Sequence, residues 1–421
     1  MLALTATGTA TATGEGDSGP QDEPLWYLED TGIPELQQTA TGEGVTIALL
    51  DTGVNPDAPA LRGADLVGTE FTCAEGEGVV SGFHDDVEAH HGTHLASILV
   101  GNGEPVNGQI GIPGIAPDAT LISYDIAAED ETTRDVQEEF TCENRTYLFR
   151  DAVLDAIDRD VDLIVTAVGR SVTADAATAM IRAINAGIVV VAANENMSEF
   201  SMDSRATGVE IEKFNGVVSV ENATQTGGRE DPVVGPWVTV LAPGTGYPHY
   251  SRGTGGWDEL TYSAAANSPA TAYVGGVLAL VKSAYPDATG NQLIQALVRG
   301  ADGGNPDLVR TDENGYGFIS PRTMIATDPT TFPDENPLLR EEEGTWPLLA
   351  DFEDGVFTDD TWDYPLEGDP VSADAAASAE DGGLDTSSLF GTVLVIAGVL
   401  LGLVVVGGIV TLVLVRRPKR R

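Results

Sequence analysis

Between residues 41 and 327 the chain alternates short apolar runs with stretches of helical period. VTIALL (45–50), TLISYDI (120–126), VDLIVTAV (161–168), GIVVVAA (187–193), GVVSV (216–220) and WVTVLA (237–242) predict strands. Several are apolar at successive positions, as strands buried on both faces are. HHGTHLASILVG, residues 148–158 and ADAATAMIRAINAG predict helices between them, the last stopping at Gly187. This alternation predicts an α/β fold, a mainly parallel sheet with helices on both faces. In such sheets catalytic groups collect at the carboxyl ends of the strands.

The pattern changes beyond residue 327. Residues 328–388 carry eighteen acidic residues against the single Arg340 and show no sustained period, which predicts an extended acidic stalk. Trp346, Phe352, Phe357, Trp362 and Tyr364 are unusual for a pure linker and give parts of it something to dock with. Residues 389–415 then run for 27 positions without a charge before RRPKRR. About 20 apolar residues cross a bilayer as a helix, so this stretch predicts one transmembrane helix. The basic tail, 416–421, is expected on the cytoplasmic side and everything before residue 389 outside the cell. Residues 1–40 form an N-terminal extension whose start, MLALTATGTATATGEG, fits either the remnant of an export signal or a disordered segment.

Composition narrows the partners. The net charge is -45, from 66 acidic residues against 21 Lys and Arg, and so acidic a surface repels phosphate backbones; nucleic acid is not an expected partner. Cys73 and Cys142 are the only cysteines, and in an extracytoplasmic setting they are expected to form a disulfide, two buried free thiols being the alternative.

The candidate chemistry starts at IALLDTGVN (47–55), where a strand delivers Asp51 to its end. Asp-Thr-Gly is also how an aspartic protease presents a carboxylate, but that chemistry needs two Asp sharing a proton, one from each lobe or subunit. The other Asp-Thr-Gly, at 30–32, lies only 21 residues upstream, too close for a separate lobe. Downstream, three of the five His fall in HHGTH (90–94), opening a helix. His91 and His94 at i,i+3 lack the i,i+4 spacing and intervening Glu of the helical zinc-protease signature.

Taken in order, IALLDTGVN, HHGTHLAS, IVVVAANEN and SPATAYVGGVLALV resemble the subtilisin-like serine proteases, the subtilases, over roughly residues 41–327. Gly114-Ile115-Ala116-Pro117, Leu241-Ala242-Pro243-Gly244 and Gly315-Tyr316-Gly317 extend the likeness. The resemblance implies a serine endopeptidase with Asp51 as triad acid, His91 as base, Ser268 as nucleophile and Asn194 as oxyanion donor. The residue types suit those roles. A Ser hydroxyl needs a base to become nucleophilic, the base needs a carboxylate to fix its tautomer, and a helix N-terminus offers free N–H groups to an oxyanion. Seen singly, Asn194 reads more readily as a turn residue and Ser268 as an N-cap than as catalytic groups; it is the four together, in order, that carry the resemblance.

The Ser segment departs from the family, where Gly-Thr-Ser precedes a Val-Ala-Gly helix. Here Ala266-Asn267-Ser268 leads to Val274-Gly275-Gly276, and Ala272 replaces the usual Pro. Counting back eight from Gly276 selects Ser268; Ser263 lies five residues out of register. The departure leaves two outcomes open, an active endopeptidase or a weak or inactive subunit scaffolding a membrane secretion complex. Substrate in this family binds as an added strand, which places it along Ile122-Ser123-Tyr124 and Ala167-Val168-Gly169. No cofactor is required, and structural calcium, common in the family, is not located by any compact acidic loop. The order of extension, catalytic domain, stalk, single span and basic tail further resembles the mycosins, membrane-anchored subtilases of type VII secretion. That implies partners among secretion-channel components, a secreted protein substrate and the lipid bilayer.

Overall fold

The computed structural model of the chain describes residues 25–72, 79–126, 148–169, 171–194, 209–229, 232–253, 256–342 and 345–357. All belong to the first of two units, Met1–Tyr364. The expectations for the span 389–415, the tail 416–421 and the Cys73–Cys142 pair lie outside the described residues. Among the described residues no helix is long and apolar enough to cross a membrane.

Seven strands form one sheet: β1 (Thr46–Asp51), β2 (Leu66–Gly68), β3 (Thr120–Asp125), β4 (Leu163–Thr166), β5 (Val189–Ala193), β6 (Val218–Ala223) and β7 (Val238–Pro243). Their order is β7-β6-β5-β4-β1-β3-β2. Every neighbouring pair is parallel. The chain moves from β1 to one side and then crosses to build the other, so β1 stands at the switch between β3 and β4, where such sheets place their sites.

Both faces are covered. On the first, α1 (His90–Val100), α4 (Asn267–Ala284) and α5 (Gly290–Gly300) pack in a core with Ile47 and Leu49 of β1. On the second, α2 (Leu148–Asp158) and α3 (Ala174–Asn185) share a core with Ala48 and Leu50. The alternation along β1 thus assigns its residues to two cores. Helix α4 is buried from Asn267 through Val281 and lies close against its neighbours. A Cβ on Gly275 would stand 2.6 Å from Val165, and one on Gly276 2.7 Å from Ile115.

The segments flanking the domain are packed onto it. Residues 25–40 fold into two helical turns. Trp26 Nε1 donates to the Thr245 carbonyl (3.0 Å), and Tyr27 stacks on Tyr247 with ring centroids 3.9 Å apart. The acidic stretch from 328, expected to run as a stalk, begins docked. Leu338 is buried in the first core and Phe352 in the second, and Asn185 donates to the Phe352 carbonyl at 2.7 Å. Its apolar side chains are placed where the domain leaves uncovered surface, and burying them outweighs the solvation of the acidic residues between them.

Candidate active site

Asp51 ends β1 with its carboxylate buried. Its Oδ1 accepts from the Thr52 backbone N–H at 2.8 Å and pairs with His91 Nδ1 at 2.6 Å. A carboxylate acceptor makes Nδ1 the protonated nitrogen, so the lone pair is on Nε2, and the His91 side chain is 38% exposed. Local contacts fix α1 here. The Gly92 N–H donates to Thr52 Oγ1 (3.0 Å), and the Asn55 N–H donates to Thr93 Oγ1 (2.9 Å). Position 92 must be glycine, because a Cβ would fall onto the Gly53 carbonyl oxygen and 3.3 Å from Asp51 Oδ1. The Gly-Thr that follows His91 therefore seats the helix on the loop after Asp51.

Behind His91 lies an aromatic cluster. His94 stacks on His249 at 4.2 Å, and His90 stands 5.0 Å from His249 and 6.0 Å from Trp257. Burial pushes all three imidazoles toward their neutral forms, His249 to about 4 and His94 well below its ordinary value. They form an uncharged wall beside the base. No group of three or more His, Cys, Asp or Glu among the described residues is arranged to hold a metal ion.

Ser268 is buried at the first turn of α4, whose N-cap, Ala266, has no side chain to satisfy the free N–H groups. Asn267 ties this turn to the carboxyl ends of two strands. Its Oδ1 accepts from the Asn222 N–H and Nδ2, each at 2.7 Å, and its Nδ2 donates to the Asn194 carbonyl at 3.0 Å. Because α1 and α4 pack against each other on one face, His91 and Ser268 both open helices at the same edge of the sheet. Ser263 is held elsewhere: it pairs through its backbone with Tyr247 (2.9 Å), whose N–H also donates to Ser263 Oγ.

Two expectations need correction. Asn194 follows β5, but its side chain does not join the triad face. Its Nδ2 donates to Glu221 (3.1 Å) and its Oδ1 accepts from Ser219 (2.7 Å), both on the side opposite α4. Alternation accounts for this: Val189 and Val191 enter the core shared with α4, so position 194 points the other way. Ile122, Ser123 and Tyr124 are not a free edge either. Ile122 and Ser123 pair with β1 on one side and β2 on the other, and Tyr124 pairs with Leu50, its hydroxyl buried against Asp155. A strand hydrogen-bonded on both sides has no backbone left for substrate. Ala167, Val168 and Gly169 do lie past the last paired residue of β4, Thr166, and become progressively exposed.

Sequence reasoning missed Glu221, Ser219, Asn222 and the role of Asn267. The only signal was polar residues inside otherwise apolar strands, in GVVSVENA.

A parallel sheet with a buried Asp paired to a partly exposed His at its switch point, and a serine opening a central helix, defines a subtilisin-like hydrolase fold. The profile of the subtilase family (peptidase S8) matches residues 42–318, and the chain belongs to that family. Among its relatives, Mycosin-1 of Mycobacterium tuberculosis is 31% identical over 353 residues, covering 73% of this chain and 74% of that protein. A thermostable alkaline protease of Halalkalibacterium halodurans is 28% identical over 260 residues, and the chain spans 62% of its length. The crystal structure of MycP1 from Mycobacterium smegmatis superposes with a TM-score of 0.56 at 24% identity, covering 80% of this chain and 92% of that one. A chain of the periplasmic assembly from the ESX-5 inner membrane complex gives 0.55 at 22% identity, covering 77% and 89%.

Proposed function

We propose that this protein is an extracytoplasmic serine endopeptidase, with Asp51, His91 and Ser268 as acid, base and nucleophile. The observation that carries the reading is the 2.6 Å bond from His91 Nδ1 to a buried Asp51, which leaves Nε2 as the base. His91 takes the Ser268 proton as Oγ attacks the peptide carbonyl, and Asp51 stabilises the imidazolium. The N–H groups at the N-terminus of α4 meet the oxyanion. Substrate backbone adds along Ala167–Gly169.

The 389–415 segment would anchor the protein in the bilayer, with residues 416–421 inside. A second reading, a scaffolding subunit of a secretion complex, is favoured by the altered Ala266-Asn267 segment and by the likeness to a chain of the ESX-5 periplasmic assembly. A secreted protein substrate and secretion-channel partners follow from the mycosin relatives on either reading.

A fluorophosphonate probe, which labels only activated serines, separates the two. The full-length chain should be labelled, Ser263→Ala should keep labelling, and Ser268→Ala and His91→Ala should lose it. A folded wild type that takes no label leaves the scaffold reading.

A further inference from the structure

We propose that Glu221 is a positioning residue for the Ser268 nucleophile, acting through Asn194 and Asn267; the proposal rests on the protease reading above. Five buried polar side chains make the connection: Glu221, Ser219, Asn194, Asn222 and Asn267, none more than 4% exposed. Glu221 Oε2 accepts from Asn194 Nδ2 (3.1 Å) and Oε1 from the Val233 N–H (3.3 Å). Asn194 is held at its other end by Ser219 and by its own N–H on the Val220 carbonyl (2.9 Å). Its carbonyl receives Asn267 Nδ2, and Asn267 is joined by one peptide bond to Ser268. The chain of contacts passes from a carboxylate under one face of the sheet to the nucleophile on the other.

The departure from the family's Gly-Thr-Ser falls at the link in this chain. A Thr hydroxyl donates and accepts at a single oxygen, whereas the Asn267 amide accepts from Asn222 at Oδ1 and donates to the Asn194 carbonyl from Nδ2, spanning the two strand ends with separate atoms. Asn267 supplies by hydrogen bonding the fixed geometry that the missing residues would otherwise provide.

Both Glu221 oxygens accept, which suits the carboxylate, whereas protonation turns one of them into a donor facing a donor. Burial pushes Glu221 up to about 7, against the bonds from Val233 and Asn194 and the charge of Arg229. Among the described residues, Arg229 is the charged group that faces it. Its sheet neighbours, Val189–Ala193 and Val238–Pro243, carry no titratable residue. The turn Ile211–Lys213 brings Glu212 and Lys213, and α4 carries Tyr273 and Lys282. The relay is therefore tight above neutrality and loosens below it.

The test is the second-order rate of fluorophosphonate labelling of the full-length chain between pH 5 and 9. For wild type, the rate should fall more steeply toward acid than in Glu221→Gln, because protonating Glu221 loosens the relay in addition to any loss at the base. Glu221→Gln should flatten that slope and slow labelling at pH 8 roughly 10- to 100-fold. The Gln NH2 meets one of the two donors that Glu221 accepts from, so some stability is lost as well, and Glu221→Asp, which keeps two accepting oxygens, should recover part of the rate. The change in pH profile is what a merely structural role would not produce. Asn267→Thr cuts the same relay further along, so Asn267→Thr/Glu221→Gln should label no more slowly than Asn267→Thr alone. A Glu221→Gln protein with wild-type rate and slope, or a double variant whose losses multiply, overturns the relay while leaving the protease reading intact. An unlabelled wild type overturns both.

Discussion

Asn215 tests whether the start of the acidic stretch is part of the fold. Its side chain is fully buried and makes three hydrogen bonds to the 340–347 segment. Nδ2 donates to the carbonyls of Arg340 (3.1 Å) and Pro347 (3.0 Å), and Oδ1 accepts from the Arg340 N–H (2.9 Å). Asn215→Ala removes all three and leaves their partners to find water or remain unpaired. At about 1 kcal/mol net for each bond, the loss is about 3 kcal/mol, and more if the Arg340 N–H stays dry. For a domain of this size that corresponds to a fall in melting temperature of roughly 6–12 °C.

The assay is thermal unfolding of the full-length chain at neutral pH, followed by limited proteolysis. The variant should melt early and should be cut near residues 340–347 before the domain itself is digested. A melting point within about 2 °C of wild type, with no new cleavage, would refute the claim that this segment is structurally joined to the domain. The protein would then have its free tether beginning near residue 328.

The histidine wall predicts acid sensitivity. Burial holds the His249 pKa at about 4 in the folded chain against 6.5 when unfolded, so only the unfolded state gains that proton between those values. Stability is intact above pH 6.5 and falls as pH drops toward 4, by about 3 kcal/mol for this residue. His249→Phe should show a shallower decline of urea midpoint between pH 7 and 4.5; an unchanged decline would remove His249 from the explanation. Gly92→Ala should abolish probe labelling, because its Cβ cannot share space with the Gly53 carbonyl without displacing His91 from Asp51. Full labelling of that variant would mean the loop after Asp51 yields more readily than its contacts imply.

Much of the fold was legible because apolar strands and amphipathic helices leave strong periodic signals. The six predicted strands all appear in the main sheet, with ends shifted by at most a few residues. Strand β2 was not legible: Leu66–Gly68 is three residues long and too short to show a period. The Asp51–His91 pairing was readable because strand end and helix start are both marked locally. The substrate edge at Ile122–Tyr124 was misassigned because an apolar strand reads alike whether it has one neighbour or two. The docking of residues 328–357 was hidden by composition: their acidity describes the solvent side, while Leu338 and Phe352 determine where they sit.

The orientation of Asn194 shows a more general limit. In a half-exposed strand, polar and apolar positions label the two faces, so a residue's parity reveals its direction. In a sheet covered on both sides that label is missing, and IVVVAA is apolar at every position. Direction is then set by which core each residue enters. Asp51 has the parity of Ile47 and Leu49 and faces α1 and α4, whereas Asn194 has the parity of Val190 and Ala192 and faces away. Polar groups on that second side carry a desolvation cost. A subunit kept only as a scaffold could replace Ser219, Glu221 and Asn194 with apolar residues and become more stable. That a carboxylate is instead kept buried, at the end of a hydrogen-bonded path to Ser268, favours a chain in which the placement of that serine still matters.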